Sequence, residues 1–372
     1  MPSRPRRPAP RPRRVRLALV GFGAVGRRFA ERLLGAYGRD LRRRGVAARV
    51  TAIATARHGL AVDPAGLDLR RALALVRAGR DLSPLHRGPP LSGSLDLVRR
   101  APADVLVELT PLEPRTGRPA LDHLRAALRR GLHVITANKG PVAHAGASLR
   151  RLAARRGLAF RHEGAVMDGL PIFSLAERCL PGARVLGFRG ILNATTTRIL
   201  AGMEAGATFA AALAEAQAAG VAEADPANDV DGWDAAVKGC VLASALLGAA
   251  VRPAEVARKG IGGITAADLA EARAAGKVLR LVVRGRRLGR GAARRVRVSV
   301  SPEALPADDL LASRGADGVL VLVTDLMGEV GLWEGRGGVD QTAYAVHADL
   351  VAVLEGSAAP GRGRRRAAMI QP

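Results

Sequence analysis

Val15-Arg16-Leu17-Ala18-Leu19-Val20 runs straight into Gly21-Phe22-Gly23-Ala24-Val25-Gly26 and then into Arg27–Leu34. The first stretch is a short β-like run, and the last reads as a helix. Between them stands Gly-x-Gly-x-x-Gly, so the order is strand, glycine turn, helix, which is the context a dinucleotide-binding fingerprint requires. Gly21 permits the tight turn, Gly23 lets backbone approach a pyrophosphate, and Gly26 allows close helix–strand packing. The helix N-terminus offers N–H groups and a positive dipole end to that phosphate, and Gly21, Gly23, Val25 and Gly26 are the candidate cofactor contacts here. The same stretch follows Arg13–Arg16 and mimics a secretory signal, but Arg27, Arg28 and Glu31 come where a small-residue cleavage site would stand.

Outward from this motif the pattern is βαβ. A second strand, about Arg49–Ala54, leads into Thr55-Ala56-Arg57-His58. An NAD enzyme tends to carry an acid here for the ribose hydroxyls. None is present, and Arg57 suits a 2′-phosphate, which favours NADP while leaving NAD open. The competing reading of Arg57 is one more surface arginine. Asp104–Thr110 reads as a strand, Pro119–Arg130 as a helix stopped by Gly131, and Leu132–Thr136 as the next strand before Ala137-Asn138-Lys139-Gly140. A helix over Val142–Arg156 and an apolar run near Phe160 close a parallel-sheet unit. Ligands bind at the carboxyl ends of such strands, where Thr110 and Lys139 fall.

Beyond residue 163 the pattern changes. Val278–Val283, Val296–Val300, Val319–Val323 and Gly328–Trp333 read as strands of an antiparallel or mixed sheet. The expected class is α/β: a Rossmann-type nucleotide domain over 15–162, completed by a terminal helix over 342–354, plus an α+β catalytic and dimerisation region over 163–335. Basic tails over 1–14 and 358–372 are expected to be disordered.

The 372 residues carry a net charge of +25, 48% hydrophobic and 3% aromatic residues, and two cysteines. Two cysteines exclude a disulfide framework, and the longest uncharged apolar run, Gly239–Val251, is too short for a bilayer span. The charge resembles a nucleic-acid signature, yet residues 1–16 and 361–372 hold eleven of the arginines, and aromatics for base stacking are scarce. Neither specific nucleic acid nor membrane is expected as a partner, and the cytoplasm is the expected location.

The chemistry concentrates in Glu223-Ala224-Asp225-Pro226-Ala227-Asn228-Asp229-Val230-Asp231-Gly232-Trp233-Asp234 and the helix after it. From Ala235 to Val251 the only charge is Lys238, one turn after Asp234. A helix so apolar is buried, and a lysine within it needs a partner. The bland alternative is a surface Asp–Lys pair. The chain holds four lysines against 54 arginines, and two of the four, Lys139 and Lys238, take the candidate positions. Arginine cannot release a proton near neutral pH, whereas a desolvated lysine can.

These residues resemble the homoserine dehydrogenase family. The matching stretches are Gly21–Gly26, Thr136–Lys139, Glu163-Gly164-Ala165-Val166 with Gly169-Leu170-Pro171, Gly190–Thr196, and Leu213–Gln217 followed by Gly220, Glu223–Pro226, Asp229, Gly232, Asp234 and Lys238. The resemblance runs from about Val15 to Leu354. It implies hydride transfer between L-homoserine and L-aspartate 4-semialdehyde with NAD(P)H, in threonine, methionine and isoleucine biosynthesis. It implies Lys238 as proton donor to the carbonyl oxygen and Lys139 as a group that binds or polarises substrate beside the cofactor. Glu223 and Asp234 would hold the substrate ammonium and orient Lys238, with Asp229 close by. Gly220, Glu223, Thr110 and Gly338 would approach the cofactor.

A monovalent cation such as sodium would map to Glu163 and to backbone at Val166, Asp168 and Leu170. Residues 278–333 would contribute most to a homodimer interface. Three positions depart from the family pattern: Ala194 stands for a usual glycine, Met167-Asp168 for a glycine-rich turn, and Gly335-Arg336-Gly337-Gly338 is a shortened glycine run. After the terminal helix no regulatory domain is expected, nor threonine feedback through one.

Two rivals remain. A semialdehyde reductase forming a thioester on the same scaffold needs an activated thiolate, for which Cys179 and Cys240 lack a sequence-adjacent histidine. A non-catalytic nucleic-acid-binding relative would predict loss of Lys238 or its acids, all of which are present.

Overall fold

In the computed structural model, the described residues are 12–289, 295–312 and 318–358. Six strands form the first sheet: β1 (Arg13–Val20), β2 (Val46–Ala54), β3 (Leu60–Val62), β4 (Val105–Glu108), β5 (His133–Thr136) and β6 (Phe160–Arg161). Their order is β3-β2-β1-β4-β5-β6. All pairings are parallel except the short β2–β3 pair. Alternation along the strands explains why both faces are covered. Val15, Leu17 and Leu19 of β1 enter one core with Phe29, while Ala18 and Val20 enter another with Leu124 and Leu128. Val105 and Val107 of β4 side with the first core, and Leu106 with the second. Over Leu17–Val20 and Val105–Val107, period-two side chains with an apolar residue at every position leave no face for water, the mark of a sheet clad on both sides.

The second sheet contains β7 (Val185–Ile191), β8 (Ala257–Arg258), β9 (Lys277–Leu288), β10 (Arg295–Pro306), β11 (Gly318–Thr324) and β12 (Glu329–Glu334). Its order is β12-β11-β7-β9-β10-β8, antiparallel but for β8 against β10. The sheet is therefore mixed. Val283, Val298, Val300, Leu320 and Leu322 meet Ala236, Val237 and Cys240 of the helix Trp233–Leu246 in one core. On the other side Ile191, Val282, Val319 and Val321 make a smaller cluster with Leu305 and Leu311.

The helix Val339–Ala358 returns to the first sheet, where Ala343, Val346, Leu350 and Val353 join Leu17 and Phe29. The helix Lys139–Arg155 faces the other way as well: its Val142 and Ala143 belong to the core of the second sheet.

Several boundaries need correction. The basic tail expected over 1–14 ends earlier, because Arg13 and Arg14 pair with Val46 and Ala47 and belong to β1. The final helix runs to Ala358, so residue 358 is helical; residues 1–11 and 359–372, where the rest of the two expected tails falls, lie outside the described residues. The first helix begins at Ala24, inside the glycine motif, and the helix expected from Val142 begins at Lys139. The buried helix stops at Leu246 instead of Val251: Gly248 takes φ +65°, and the Leu247 and Ala249 N–H groups both donate to the Ala243 carbonyl. Among the described residues no helix is long and apolar enough to cross a membrane.

Candidate active site

The glycine motif lies at the carboxyl end of β1, and its stereochemistry leaves little choice of residue. Gly21 has φ +97°, and a Cβ there would stand 2.4 Å from the Leu109 carbonyl carbon. A Cβ at Gly26 would meet the Gly21 carbonyl oxygen at 2.5 Å, whereas a Cβ at Gly23 would meet nothing within 4 Å. The turn is thus closed against the protein and open at Gly23. No side chain caps the helix that starts at Ala24, which leaves its first-turn N–H groups facing the opening. An uncapped helix start beneath an open glycine cradle fits the pyrophosphate of a nicotinamide dinucleotide. Arg57 is exposed just beyond β2.

Beside this cradle, β4 and β5 end in a polar knot. Asn138 caps the helix Lys139–Arg155 by accepting from the Gly140 N–H (3.0 Å), and its amide donates to the Thr110 and Pro111 carbonyls at 3.0 and 3.1 Å. Lys139 is therefore the first residue of a capped helix, and its ammonium reaches across to the second sheet's core.

There it meets Asp234. Lys139 Nζ lies 3.0 Å from Asp234 Oδ1, and Lys238 Nζ lies 3.1 Å from Asp234 Oδ2. Lys238 also donates to the Leu192 carbonyl at 2.5 Å. An ammonium has three donors, so one remains to point at a ligand. Asn193 donates to Asp229 Oδ1 at 2.7 Å and to Asp234 Oδ2 at 3.0 Å, while its own oxygen caps the helix Ala194–Glu204 through the Thr196 N–H. Ala194 is accommodated as the first residue of that helix, so the usual glycine is not required by the backbone here.

Burial raises the Asp234 carboxyl, but Lys139 and Lys238 outweigh it and hold the group well below the usual carboxylate range. Burial would lower the Lys238 ammonium; Asp234, then Asp168, reverse this and raise it above the ordinary lysine value. Asp229 is pushed up by burial and by the charge of Asp234. The result is one ionised carboxylate between two ammonium groups, with a second, more easily protonated acid alongside.

Not every expected residue joins this cluster. Glu223 is exposed; its backbone carbonyl accepts from Gln217 Nε2 at 3.0 Å, and its carboxylate enters none of these bonds. Gly220 is likewise exposed, at φ +69° after the helix Phe209–Ala218. Gly338 donates its N–H to the Asp168 carboxylate, which also accepts from Thr342 Oγ1 at 3.0 Å. Asp168 has φ +35°, alone in the left-handed region among the described non-glycine residues.

Around the cation set expected at Glu163 and at the backbone of Val166, Asp168 and Leu170, part of the oxygen capacity is already in use within the chain. Both Glu163 oxygens are taken by donors, the Phe173 N–H at 2.7 Å, the Ser174 N–H at 3.0 Å and the Ser174 hydroxyl at 2.5 Å. The Leu170 carbonyl accepts from the Ile172 N–H at 2.9 Å, and the Asp168 carboxylate is turned to Gly338. The Leu170 carbonyl and Glu163 Oε1 each accept one bond and keep a second lone pair; among the described residues no group of three or more His, Cys, Asp or Glu side chains could hold a metal ion, a grouping that one carboxylate with backbone carbonyls would not make.

Sequence reasoning left Asn193 and Glu108 out of the site. Asn193 carried a signal, Asn followed by Thr three residues on at a helix start, but that pattern announces a cap and not a grip on two acids. Glu108 carried none, being a single acid at the end of an apolar strand.

Cys240 is buried, its thiol pushed up to about 12 by burial, which opposes a thioester mechanism. A dinucleotide cradle at the head of a parallel sheet, beside a carboxylate that holds two lysines, defines a pyridine-nucleotide-dependent oxidoreductase. Comparison with known proteins gives the family. The profile described as homoserine dehydrogenase matches residues 171–351, and that of the homoserine dehydrogenase NAD-binding domain matches residues 21–163. The chain belongs to the homoserine dehydrogenase family. It is 34% identical to an NAD(+)-dependent homoserine dehydrogenase of Pseudomonas canavaninivorans, over 90% of this chain and 95% of that one. The crystal structure of a putative homoserine dehydrogenase from Archaeoglobus fulgidus superposes with a TM-score of 0.77 at 31% identity, covering 91% of this chain and 99% of that one. A hyperthermophilic archaeal homoserine dehydrogenase in complex with NADPH gives 0.76 at 30% identity, covering 92% and 98%.

Proposed function

We propose that this chain interconverts L-homoserine and L-aspartate 4-semialdehyde, with Lys238 as the proton-transfer group and NADP(H) as the preferred cofactor. The observation that carries the reading is the shared carboxylate: Asp234 holds Lys139 and Lys238 at 3.0 and 3.1 Å. The bound nicotinamide supplies or accepts the hydride.

In aldehyde reduction, negative charge grows on the carbonyl oxygen. Lys238, kept protonated by Asp234, gives that oxygen its proton through the donor left over from Leu192 and Asp234. Lys139 adds a second positive charge at the carboxyl end of β5 and orients the substrate. Asp229, held by Asn193, offers a carboxylate to the substrate ammonium. Glu223 is the further candidate for that ammonium and, with Gly220, Thr110 and Gly338, for the cofactor; its exposed side chain would need to turn inward. In homoserine oxidation the roles reverse, and Lys238 must first lose a proton.

The 2′-phosphate preference rests on Arg57 and on the absence of an acid after β2. A homodimer through the second sheet and a cytoplasmic location complete the reading. Support for the dimer comes from Leu186, Leu310, Leu326, Met327 and Trp333, large apolar residues left exposed around that sheet.

The deciding assay follows nicotinamide reduction by the purified protein with L-homoserine, against L-serine and L-threonine, using NADP and NAD in turn. Turnover confined to L-homoserine supports the reading. Preference for another hydroxy amino acid overturns it.

A further inference from the structure

Glu108, the last residue of β4, is fully buried and has no cationic partner among the described residues. A carboxylate in such surroundings is costly unless every lone pair is used. Three neutral donors take three of the roughly four lone pairs. Oε1 accepts from the Thr110 N–H at 2.9 Å and from the Thr110 hydroxyl, and Oε2 accepts from the Thr136 hydroxyl at 2.9 Å.

The bonds continue from there. Thr136 Oγ1 accepts from the Asn138 N–H at 3.0 Å, and Asn138 Nδ2 donates back to the Thr110 carbonyl at 3.0 Å. Glu108, Thr110, Asn138 and Thr136 thus close a ring that ties the end of β4 to the end of β5. Lys139 is the next residue after the ring.

With Glu108 ionised, as it is above its raised pKa of about 7, it is acceptor-only and the direction of each hydrogen follows. With the Thr110 and Thr136 hydroxyl protons both pointing at the acid, Thr136 has a lone pair free for the Asn138 N–H. Asn138 is then held in the rotamer that caps the helix of Lys139. Thr110, its hydroxyl proton committed inward, cannot donate it to a ligand and contributes shape instead. A glutamine would place an amide donor where one of the three donors already points.

We infer that Glu108 is a positioning residue for the reaction: through Thr110, Thr136 and Asn138 it sets the wall of the cofactor pocket and the place of Lys139. This rests on the dehydrogenase reading above, and burial pushing the acid up to about 7 agrees with a group retained against a stability cost. A structural role and a positioning role differ in what they do to stability. Neutralising an unpaired buried acid relieves its desolvation, so a purely structural account ties activity to the folded fraction. The positioning account separates the two.

The experiment uses the full chain and three variants, Glu108→Gln, Thr136→Val and the pair. It measures kcat and KM for homoserine and NADP, NADPH binding by fluorescence, and melting temperature at pH 8. Expected for Glu108→Gln is a fall in kcat/KM of about 10²-fold, the scale of a misplacement of about 1 Å, with an unchanged or higher melting temperature. The double variant should be no worse than Glu108→Gln, because both changes cut one ring.

Kinetic constants within twofold of wild type overturn the proposal, as does a loss that only follows unfolding. Additive losses in the double variant also overturn it. If Glu108→Gln does not fold, the near-isosteric Thr136→Val is judged by the same criteria. If wild type does not oxidise homoserine, the dehydrogenase reading fails, and NADPH binding then decides: tenfold weakening in the variants supports the role of Glu108, and unchanged binding removes it.

Discussion

Lys139 Nζ and Asp234 Oδ1 lie 3.0 Å apart, which joins the first residue of the helix after β5 to the first turn of the buried helix Trp233–Leu246. Each residue comes from a different part of the chain, and neither element alone holds a site. Both side chains are mostly enclosed, so the pair is screened far less than a surface ion pair.

Lys238→Arg keeps the charge beside Asp234 but removes a proton that can be exchanged near neutral pH. It should lower kcat by roughly 10²–10⁴-fold with little change in cofactor affinity. Steady-state kinetics with a melting curve checks this; near-normal turnover in a folded variant would move proton transfer to Lys139.

Homoserine oxidation needs neutral Lys238, whose ammonium Asp234 holds above the ordinary lysine value. Its kcat/KM should therefore still be climbing at alkaline pH. Asp234→Asn removes the largest stabilising charge, so burial dominates and the rising limb should shift to lower pH. A pH–rate profile of both proteins reads the shift, and coincident limbs would assign the limb to another group.

Arg57→Ala should weaken NADP binding about 10–100-fold, the worth of one charge-assisted hydrogen bond, and leave NAD nearly untouched. Equal losses for both cofactors would place Arg57 outside the phosphate site. Cofactor titrations at fixed ionic strength make the comparison.

Asp349, buried on the terminal helix, accepts from the Glu163 N–H at 2.9 Å and is pushed up to about 8 by burial. A folded-state pKa above the unfolded value means the native protein binds the extra proton. Its stabilisation is complete below the unfolded value near 4 and is lost as pH rises to about 8. Asp349→Asn can still accept that bond, so its melting temperature should fall less than wild type's across this window. Parallel curves would show that Asp349 is already neutral or compensated.

Much of this architecture was legible in local order. The strand, Gly21–Gly26 and the following helix announced the nucleotide unit, because the three parts are contiguous in the chain and Gly26 answers a steric demand made by the nearby Gly21 carbonyl. Lys238 stood out because one charge interrupts an apolar helix, and the structure buries that helix among Val283, Val298 and Val300. β7 was not anticipated: Val185–Ile191 includes Gly187, Arg189 and Gly190, and only its antiparallel partners β9 and β11 make it a strand. The grip on Glu163 was hidden for a similar reason, since nothing near it in the chain shows that Phe173 and Ser174 turn back to meet it.

Local order in the chain was enough for most of the elements, the dinucleotide cradle, the Asp234–Lys238 pair and the family resemblance, which depend on periodicity, on contiguous motifs or on a spacing of one helical turn. Tertiary structure alone decided that Lys139 shares the carboxylate of Asp234, that Asn193 holds Asp229 and Asp234 together, and that Glu108 closes a ring with Thr110, Asn138 and Thr136. These contacts join residues 28 to 95 positions apart or hang on hydroxyl and carboxylate directions at the ends of neighbouring strands. A linear pattern records which side chains share a face; only the packing of one sheet's helix against the other's core fixes which charged groups meet there.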